Sequence, residues 1–398
     1  MSAALPVTGT AEAQLLAEVD RWGAEVVGLS HGLHREPELG LAEFRSRDKV
    51  SRLLRSAGFA VQSPVGGLET ALVGSFGSGE LVIALCAEYD ALPGIGHACG
   101  HNVNGAASVG AALGLAAVAD ELDLTVLLIG TPAEETIGGK VQLLDAGVFD
   151  GVHAAMMVHA SAADEIAGSS YALGVWDVEY AGQPAHAAVA PWHGVNAADA
   201  VTLAYQAVGL LRQQLRCDQL VSFVIHEAGR APNVIPASAR ATVELRARTV
   251  VELRELQEAV RHCLDAGAMA TGAQLQLTPR GNDFAEPRQD TAMTRLYAEA
   301  MSELGRTPVD LAGKPCASTD MGNVSHVVPS IQPMIGYDVA GAIHHTPQFA
   351  QHGVSASADR AVLDGARGLA LVGARLAQDP AQRHRLMHTS HTSGKASR

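Results

Sequence analysis

The chain has 398 residues, 47% hydrophobic and 18% charged, more than one hydrophobic core usually supports, so two domains are expected. Its net charge of −14, from 42 acidic against 28 basic residues with no Lys/Arg cluster, argues against nucleic-acid binding. Five widely spaced cysteines, Cys86, Cys99, Cys217, Cys263 and Cys316, make no disulfide framework and predict a reducing, cytoplasmic setting, and Met1–Pro6 lacks the basic stretch and apolar core of a leader.

Residues 11–33 have helical periodicity, and 46–57 read as a second amphipathic helix closed by Gly58. Leu81–Leu85, Thr125–Ile129 and Ala154–Val158 read as strands, with helices after Asn104 and around Lys140–Ala146. The apolar stretch Val103–Ala119 has about the reach of a membrane span, but its small residues predict a buried helix instead, and no membrane association is expected. This β-α-β-α-β order predicts an α/β domain with a mainly parallel sheet and helices on both faces.

From about Tyr171 the texture changes. Val175–Tyr180, a helix over 196–215, strands at Val221–His226 and Ala241–Arg246 and a helix over 251–266 read as a β-α-β-β-α-β unit, an α+β sandwich inserted into the first domain. After about Asp283 the chain is expected to return, with helices over 291–304 and 361–377 and a polar, frayed tail from Gln378. The expected domains are thus 1–170 with 284–398, and 171–283.

Gly96-His97-Ala98-Cys99-Gly100-His101-Asn102 puts a thiol and an imidazole two residues apart in a glycine-loosened turn. A lone Cys usually packs as a small hydrophobe, and a lone His is more often a satisfied core or surface residue than a ligand. The set is different. Glu134-Glu135 follow one apolar strand, His159 ends another and His344-His345 lie near the C-terminus, while Glu88 and Asp90 follow Leu81–Leu85. Strand ends are where open α/β sheets place ligands, and these side chains suffice for two divalent ions plus a free carboxylate as base.

The order of these motifs resembles that of the M20 family of metallo-amidohydrolases, in particular its aminoacylase-like and aminobenzoyl-glutamate-hydrolase-like members. The residues that carry the likeness are Ala87-Glu88-Tyr89-Asp90-Ala91-Leu92-Pro93, Cys99-Gly100-His101, Glu134-Glu135, Gly182-Gln183-Pro184-Ala185-His186, Asn233-Val234-Ile235-Pro236, Ser318–Ser325 and His345-Thr346-Pro347. Standard members place a ligand His where this chain has Glu88; in the Cys-Gly-His subgroup His101 takes over the missing imidazole.

The resemblance implies a zinc-peptidase-like catalytic domain and a lid or dimerisation domain in a homodimer. It implies two divalent ions, zinc or manganese, with cobalt or nickel as alternatives, held by Cys99, His101, Glu135, His159 and His345, with Asp90 orienting a ligand from behind. His345 is selected over His344 because the family ligand immediately precedes a Ser/Thr-Pro pair, and His97 has no assigned role. Glu134 is then the general base toward a metal-bridging hydroxide, and His186 the lid residue that stabilises the oxyanion, usually of the partner subunit. Asn233 and the Gly322 turn are expected to contact substrate; Arg246 reads equally as a carboxylate clamp or an ordinary strand-face arginine.

The expected reaction is hydrolysis of the amide bond of N-acyl amino acids, aminobenzoyl-glutamate-like conjugates or dipeptides. Two other classes are compatible with the same residues: hydrolysis of another C–N bond, such as release of an aromatic amine, and a non-catalytic metal- or ligand-binding protein.

Overall fold

The computed structural model describes residues 10–389, and the chain divides into two compact units. The first is built from the chain up to Ser169, Pro287–Pro315 and the chain from Asp320. The second is Ser170–Glu286 joined by Cys316–Thr319, a short return that sequence reading alone places in the first domain.

In the first unit, β1 (Ala60–Gln62), β2 (Leu72–Phe76), β3 (Leu81–Ala87), β4 (Leu124–Gly130) and β5 (Ala154–Met156) join Ser330–Ile331 in one sheet, in spatial order β1-β2-β4-β3-β5-(330–331). β3 pairs in parallel with β4 on one side and β5 on the other, whereas β1 and β2 add antiparallel pairs at one edge. Leu81, Ile83, Ala84, Leu85, Cys86 and Ala87 are all buried, as a strand covered on both faces requires. The next strand, β6 (His159–Ser161), leaves this sheet and pairs in parallel with Met334–Gly336.

The helices are α1 (Thr10–Arg21), α2 (Gly23–Arg35), α3 (Phe44–Ser56), α4 (His101–Ala116), α5 (Glu134–Ile137) and α6 (Gly139–Asp145), followed later by Thr291–Glu303, Met321–Ser325, Pro347–His352, Ala356–Gln378 and Pro380–His388. The first predicted helix is two helices, because Trp22 adopts φ −87° and ψ 1° between them. The tail is not frayed as far as His388: Asp379 caps the last helix, Leu386 is buried, Arg383 donates to the Leu122 carbonyl at 2.9 Å and Arg385 pairs with Asp290 at 2.6 Å. Its polar residues read as a solvated end only because their partners are distant in sequence.

Helix α4 is buried from His101 to Leu115, which explains its lack of any polar face. Glycine lets it approach its neighbours. A Cβ at Gly105 would lie 2.3 Å from the Glu88 carbonyl oxygen, and one at Gly110 would lie 2.8 Å from the Ala366 methyl. No helix among the described residues is long and apolar enough to cross a membrane.

The second unit is a four-stranded antiparallel sheet, in spatial order Leu220–Glu227, Ser238–Ala247, Ala172–Ala181 and Gln274–Pro279. Burial alternates along Ala172–Ala181, and the buried set packs with two helices, Ala197–Leu211 and Val250–Thr271, into a separate core. Asn196 and Thr249 cap those helices, and left-handed Gly272 ends the second.

Because α4 touches the end of β3 through Gly105, Gly105→Ala should cost about 1–3 kcal/mol by overpacking against a carbonyl that cannot move aside. Urea denaturation checks this; a midpoint equal to that of the parent would mean the contact is slack.

Candidate metal centre

The carboxyl ends of β3 and β4 coincide, with Ala87 paired to Gly130, and β5 runs beside β3. The chain leaves these strands through Glu88 and Asp90, through Glu134 and Glu135, and through His159. Three adjacent parallel strands therefore deliver the titratable groups to one edge of the sheet.

Asp90 connects two of these exits. His101 Nδ1 is 3.0 Å from both the Asp90 carbonyl oxygen and its Oδ1, while Oδ2 accepts the Glu135 backbone N–H at 3.0 Å. Two acceptors at Nδ1 place a ring proton there, so Nε2 is the nitrogen that can give a lone pair to a cation. That nitrogen is buried and has no hydrogen-bond partner among the described residues. An orphaned imidazole nitrogen of this kind suits a cation.

His101 is the first residue of α4, and Gly100 before it has φ 77°. A Cβ at Gly100 would lie 2.3 Å from the Ala160 methyl, so both its conformation and its space call for glycine. His159 repeats the tautomer logic: Nδ1 is 3.0 Å from the Ala160 carbonyl and Nε2 is 3.6 Å from Cys99 Sγ.

Glu134 and Glu135 open α5 just after Ala133, which has φ 61°. A left-handed alanine costs about 1–3 kcal/mol and persists only where its surroundings enforce it. Here Glu43 Oε1 accepts the Ala133 N–H at 2.8 Å, and Glu43 Oε2 accepts the Thr70 hydroxyl at 2.8 Å. His345 is also left-handed, at φ 63°; its N–H donates to the Ala98 carbonyl at 3.0 Å and its Nε2 lies 3.3 Å from Glu135 Oε1.

The ligand-type atoms converge into two triads that share one sulfur, Cys99-His101-His159 and Cys99-Glu135-His345, each with its atoms within 4.8 Å of one another. Glu134 is 7% exposed and lies within the same limit of His101 and Glu135. A thiolate with two imidazoles, and the same thiolate with a carboxylate and an imidazole, are donor sets that fit divalent transition ions.

The local electrostatics agree with that fit. Burial, then the carboxylates of Glu135, Asp320 and Glu88, push the Glu134 carboxyl well above the usual range. Burial opposes the charge on Glu135, but its hydrogen bond to His345 and the nearby His101 hold it at about 2. Burial lowers His159 to about 4, which keeps its imidazole neutral. Burial also pushes the Cys99 thiol well above its usual value, so the thiolate requires a compensating cation.

The other sequence candidates belong to neither triad. Gly322 is buried in Met321–Ser325, one turn of helix rather than an open loop, with its carbonyl accepting from Ser325 Oγ. In the second unit His186 and Asn233 are exposed on adjacent segments, joined by the Ala187 N–H donating to the Asn233 carbonyl at 3.0 Å. Arg246 already donates to Glu244 at 2.8 Å and to Ser318 at 3.1 Å. His344 Nε2 is 2.9 Å from the Ala160 carbonyl, and buried His97 stacks on His34 with ring centroids 6.4 Å apart.

Sequence reasoning overlooked Glu43 and Lys140. Glu43 looks like any acid before a helix, and Lys140 like a surface lysine at a helix start. No local signal marks Lys140; the tight turn before it, where a Cβ on Gly139 would lie 1.9 Å from the Pro132 carbonyl oxygen, shows only in the fold.

Residues 84–361 match the model of peptidase family M20/M25/M40. The chain is 34% identical over 381 residues to the Xaa-Arg dipeptidase of Mus musculus, covering 91% of this chain and 88% of that protein. It is 32% identical over 259 residues to a p-aminobenzoyl-glutamate hydrolase subunit of Escherichia coli (strain K12), covering 59% and 53%. Among solved structures it resembles a putative aminohydrolase from methicillin-resistant Staphylococcus aureus, with a TM-score of 0.74, 20% identity and coverage of 92% and 99%. It also resembles a dinuclear metal-binding M20 peptidase of Bacillus subtilis, with a TM-score of 0.68, 22% identity and coverage of 90% and 99%. The chain therefore belongs to peptidase family M20/M25/M40 and is an amidohydrolase.

Proposed function

We propose that this amidohydrolase is a two-metal enzyme that cleaves dipeptides, with N-acyl amino acids and aminobenzoyl-glutamate-like conjugates as the second substrate class. The observation that carries the reading is the sharing of Cys99 between two ligand triads, with Glu134 left beside them. Dipeptides come first because the relative named for Xaa-Arg dipeptides matches across 91% of this chain, against 59% for the aminobenzoyl-glutamate relative.

Cys99, His101, Glu135, His159 and His345 would hold the ions, with zinc or manganese favoured by the mixed sulfur, nitrogen and oxygen donors. When bound, such ions would polarise a scissile carbonyl and bring the pKa of water toward neutrality. Glu134 then takes a proton from the attacking water and returns it to the leaving amine. Burial and the neighbouring carboxylates favour a proton on Glu134, which suits it to hold that proton between the two steps once divalent ions offset the like charges beside it. Asp90 orients His101 by fixing its tautomer.

In the second unit, His186 is assigned to the carbonyl oxygen as charge develops on it, and Asn233 and Arg246 to the substrate. Gly322 is assigned to the substrate carboxylate. The inserted unit, Ser170–Glu286, is assigned as lid and dimerisation domain of a cytoplasmic homodimer, with His186 acting on the partner's centre.

Release of free amine from dipeptides with basic, acidic and apolar C-terminal residues, from N-acyl amino acids and from aminobenzoyl-glutamate tests the reading. Chelated protein should be silent and zinc- or manganese-restored protein active; equal activity in both would sink the metal assignment. Glu134→Gln should lower kcat about 10²–10⁴-fold with bound metal unchanged in elemental analysis. Asp90→Ala should weaken zinc binding about 10–100-fold in competition titrations, because His101 loses the charged one of its two acceptors at Nδ1 and Glu135 loses its backbone anchor. Mixing Glu134→Gln with His186→Ala protein should regain part of the lost activity after subunit exchange, whereas no recovery despite exchange would place His186 in its own subunit or outside the reaction.

A further inference from the structure

Beside the ligand cluster lies a fully buried lysine that the proposed reaction does not use. Lys140 Nζ donates to Glu88 Oε1 and to Asp320 Oδ1, both at 2.6 Å, and all three side chains are 0% exposed. The Lys140 backbone N–H adds a bond of 2.9 Å to Asp320 Oδ2. The second oxygen of Glu88, Oε2, accepts from Asn104 Nδ2 at 2.9 Å.

That second oxygen is the informative one. It lies 3.5 Å from His101 Nε2, the nitrogen aimed into the ligand cluster. Glu88 thus stands at the margin of the centre with a carboxylate chemically suited to a divalent ion. Both of its oxygens are committed to other partners, Oε1 to the Lys140 ammonium and Oε2 to the Asn104 amide.

The same ammonium faces a third acidic group. Glu88, Glu134 and Asp320 bring carboxylate oxygens within 4.8 Å of one another, an arrangement that could otherwise gather a cation of its own. A buried ion pair contributes little net stability compared with apolar packing of the same volume. Stability alone is thus a poor reason for a buried lysine here, whereas control over where Glu88 points is a sufficient one.

We propose that Lys140 is a positioning residue which, with Asn104, holds Glu88 out of the metal coordination, so that the centre is built from sulfur, nitrogen and the single carboxylate of Glu135. Without Lys140, Glu88 swings to the ion nearest His101 and adds an oxygen donor. This changes the coordination geometry and shifts preference from zinc toward harder ions such as manganese. The inference rests on the metal-binding reading above.

The test is cobalt titration of chelator-stripped full-length protein, read as bound ion per chain and visible absorption per bound ion, with manganese-against-zinc competition alongside. The variants are Lys140→Met, Lys140→Met/Asp320→Asn and Lys140→Met/Asp320→Asn/Glu88→Gln. The double variant removes one positive and one negative charge, so it keeps the net charge of the triad and remains informative where the single variant does not fold. The expected result is a loss of visible intensity per cobalt and a shift toward manganese in the first two variants, with both reversed when Glu88→Gln is added. A parental spectrum in the folded double variant overturns the proposal. A changed spectrum that persists after Glu88→Gln also overturns it, because the added donor is then not Glu88. A parental protein that binds no cobalt, zinc or manganese instead sinks the metal-binding reading itself, and this inference with it.

Discussion

The carboxylate of Asp90 is the constraint on which the centre depends. One side chain fixes the tautomer of His101 at the start of α4 and holds the backbone of Glu135 at the start of α5. The two elements follow different strands, and Asp90 follows β3, so three separate segments are placed relative to one another by a single group. Glu43 adds the next link by holding Ala133 in the left-handed conformation that turns Glu134 and Glu135 inward. The precision comes from buried, directional hydrogen bonds to carboxyl groups, those to the charged carboxylate of Asp90 being about twice as strong as neutral ones.

Charge balance sets the second constraint. Glu43, Glu88, Asp90, Glu134, Glu135 and Asp320 gather around the strand ends, and Lys140 is the one ammonium that meets them among the described residues. Burying carboxylates without compensation costs several kcal/mol each, and such groups protonate rather than stay charged. Glu43 follows that route: burial, then the Asp90 charge, raises its carboxyl to about 7. Glu135 and Glu88 do not, because imidazoles and the ammonium stand beside them. The region is thus arranged so that some carboxyls are pushed toward holding protons while others remain anions, and neighbouring carboxyls can serve different ends.

Much of this was legible in the sequence because its signals are local. The apolar runs of β3 and β4 announce buried parallel strands, and the turn Cys99-Gly100-His101 lies in the connection that leaves β3. The two triads could be anticipated from residue type and from position after strands. What was not legible depends on partners far along the chain: Lys140 meets Glu88 across 52 positions and Asp320 across 180. Lysines are almost never fully buried, so nothing in a local window marks this one. The tail failed for the same reason, since Arg385 reads as solvated until Asp290 is brought beside it.

Glu88 and Asp90 leave the same strand two residues apart, and they divide the roles of a carboxylate between them. Asp90 binds the far nitrogen of an imidazole and so would make His101 a better ligand for an ion. Glu88 lies beside the near nitrogen and would compete with it for the same ion. An anion in that place is useful only if something prevents it from binding, and the simplest restraint is an opposite charge that cannot be washed out by solvent. An exposed lysine would be screened and would exchange partners with water. Buried between Glu88 and Asp320, Lys140 has no competing solvent, and its own charge is maintained because the two carboxylates outweigh the cost of burial. The triad therefore acts as a fixed internal counter-charge, and on the proposed reading the selectivity of the centre would follow from which carboxylate it leaves free.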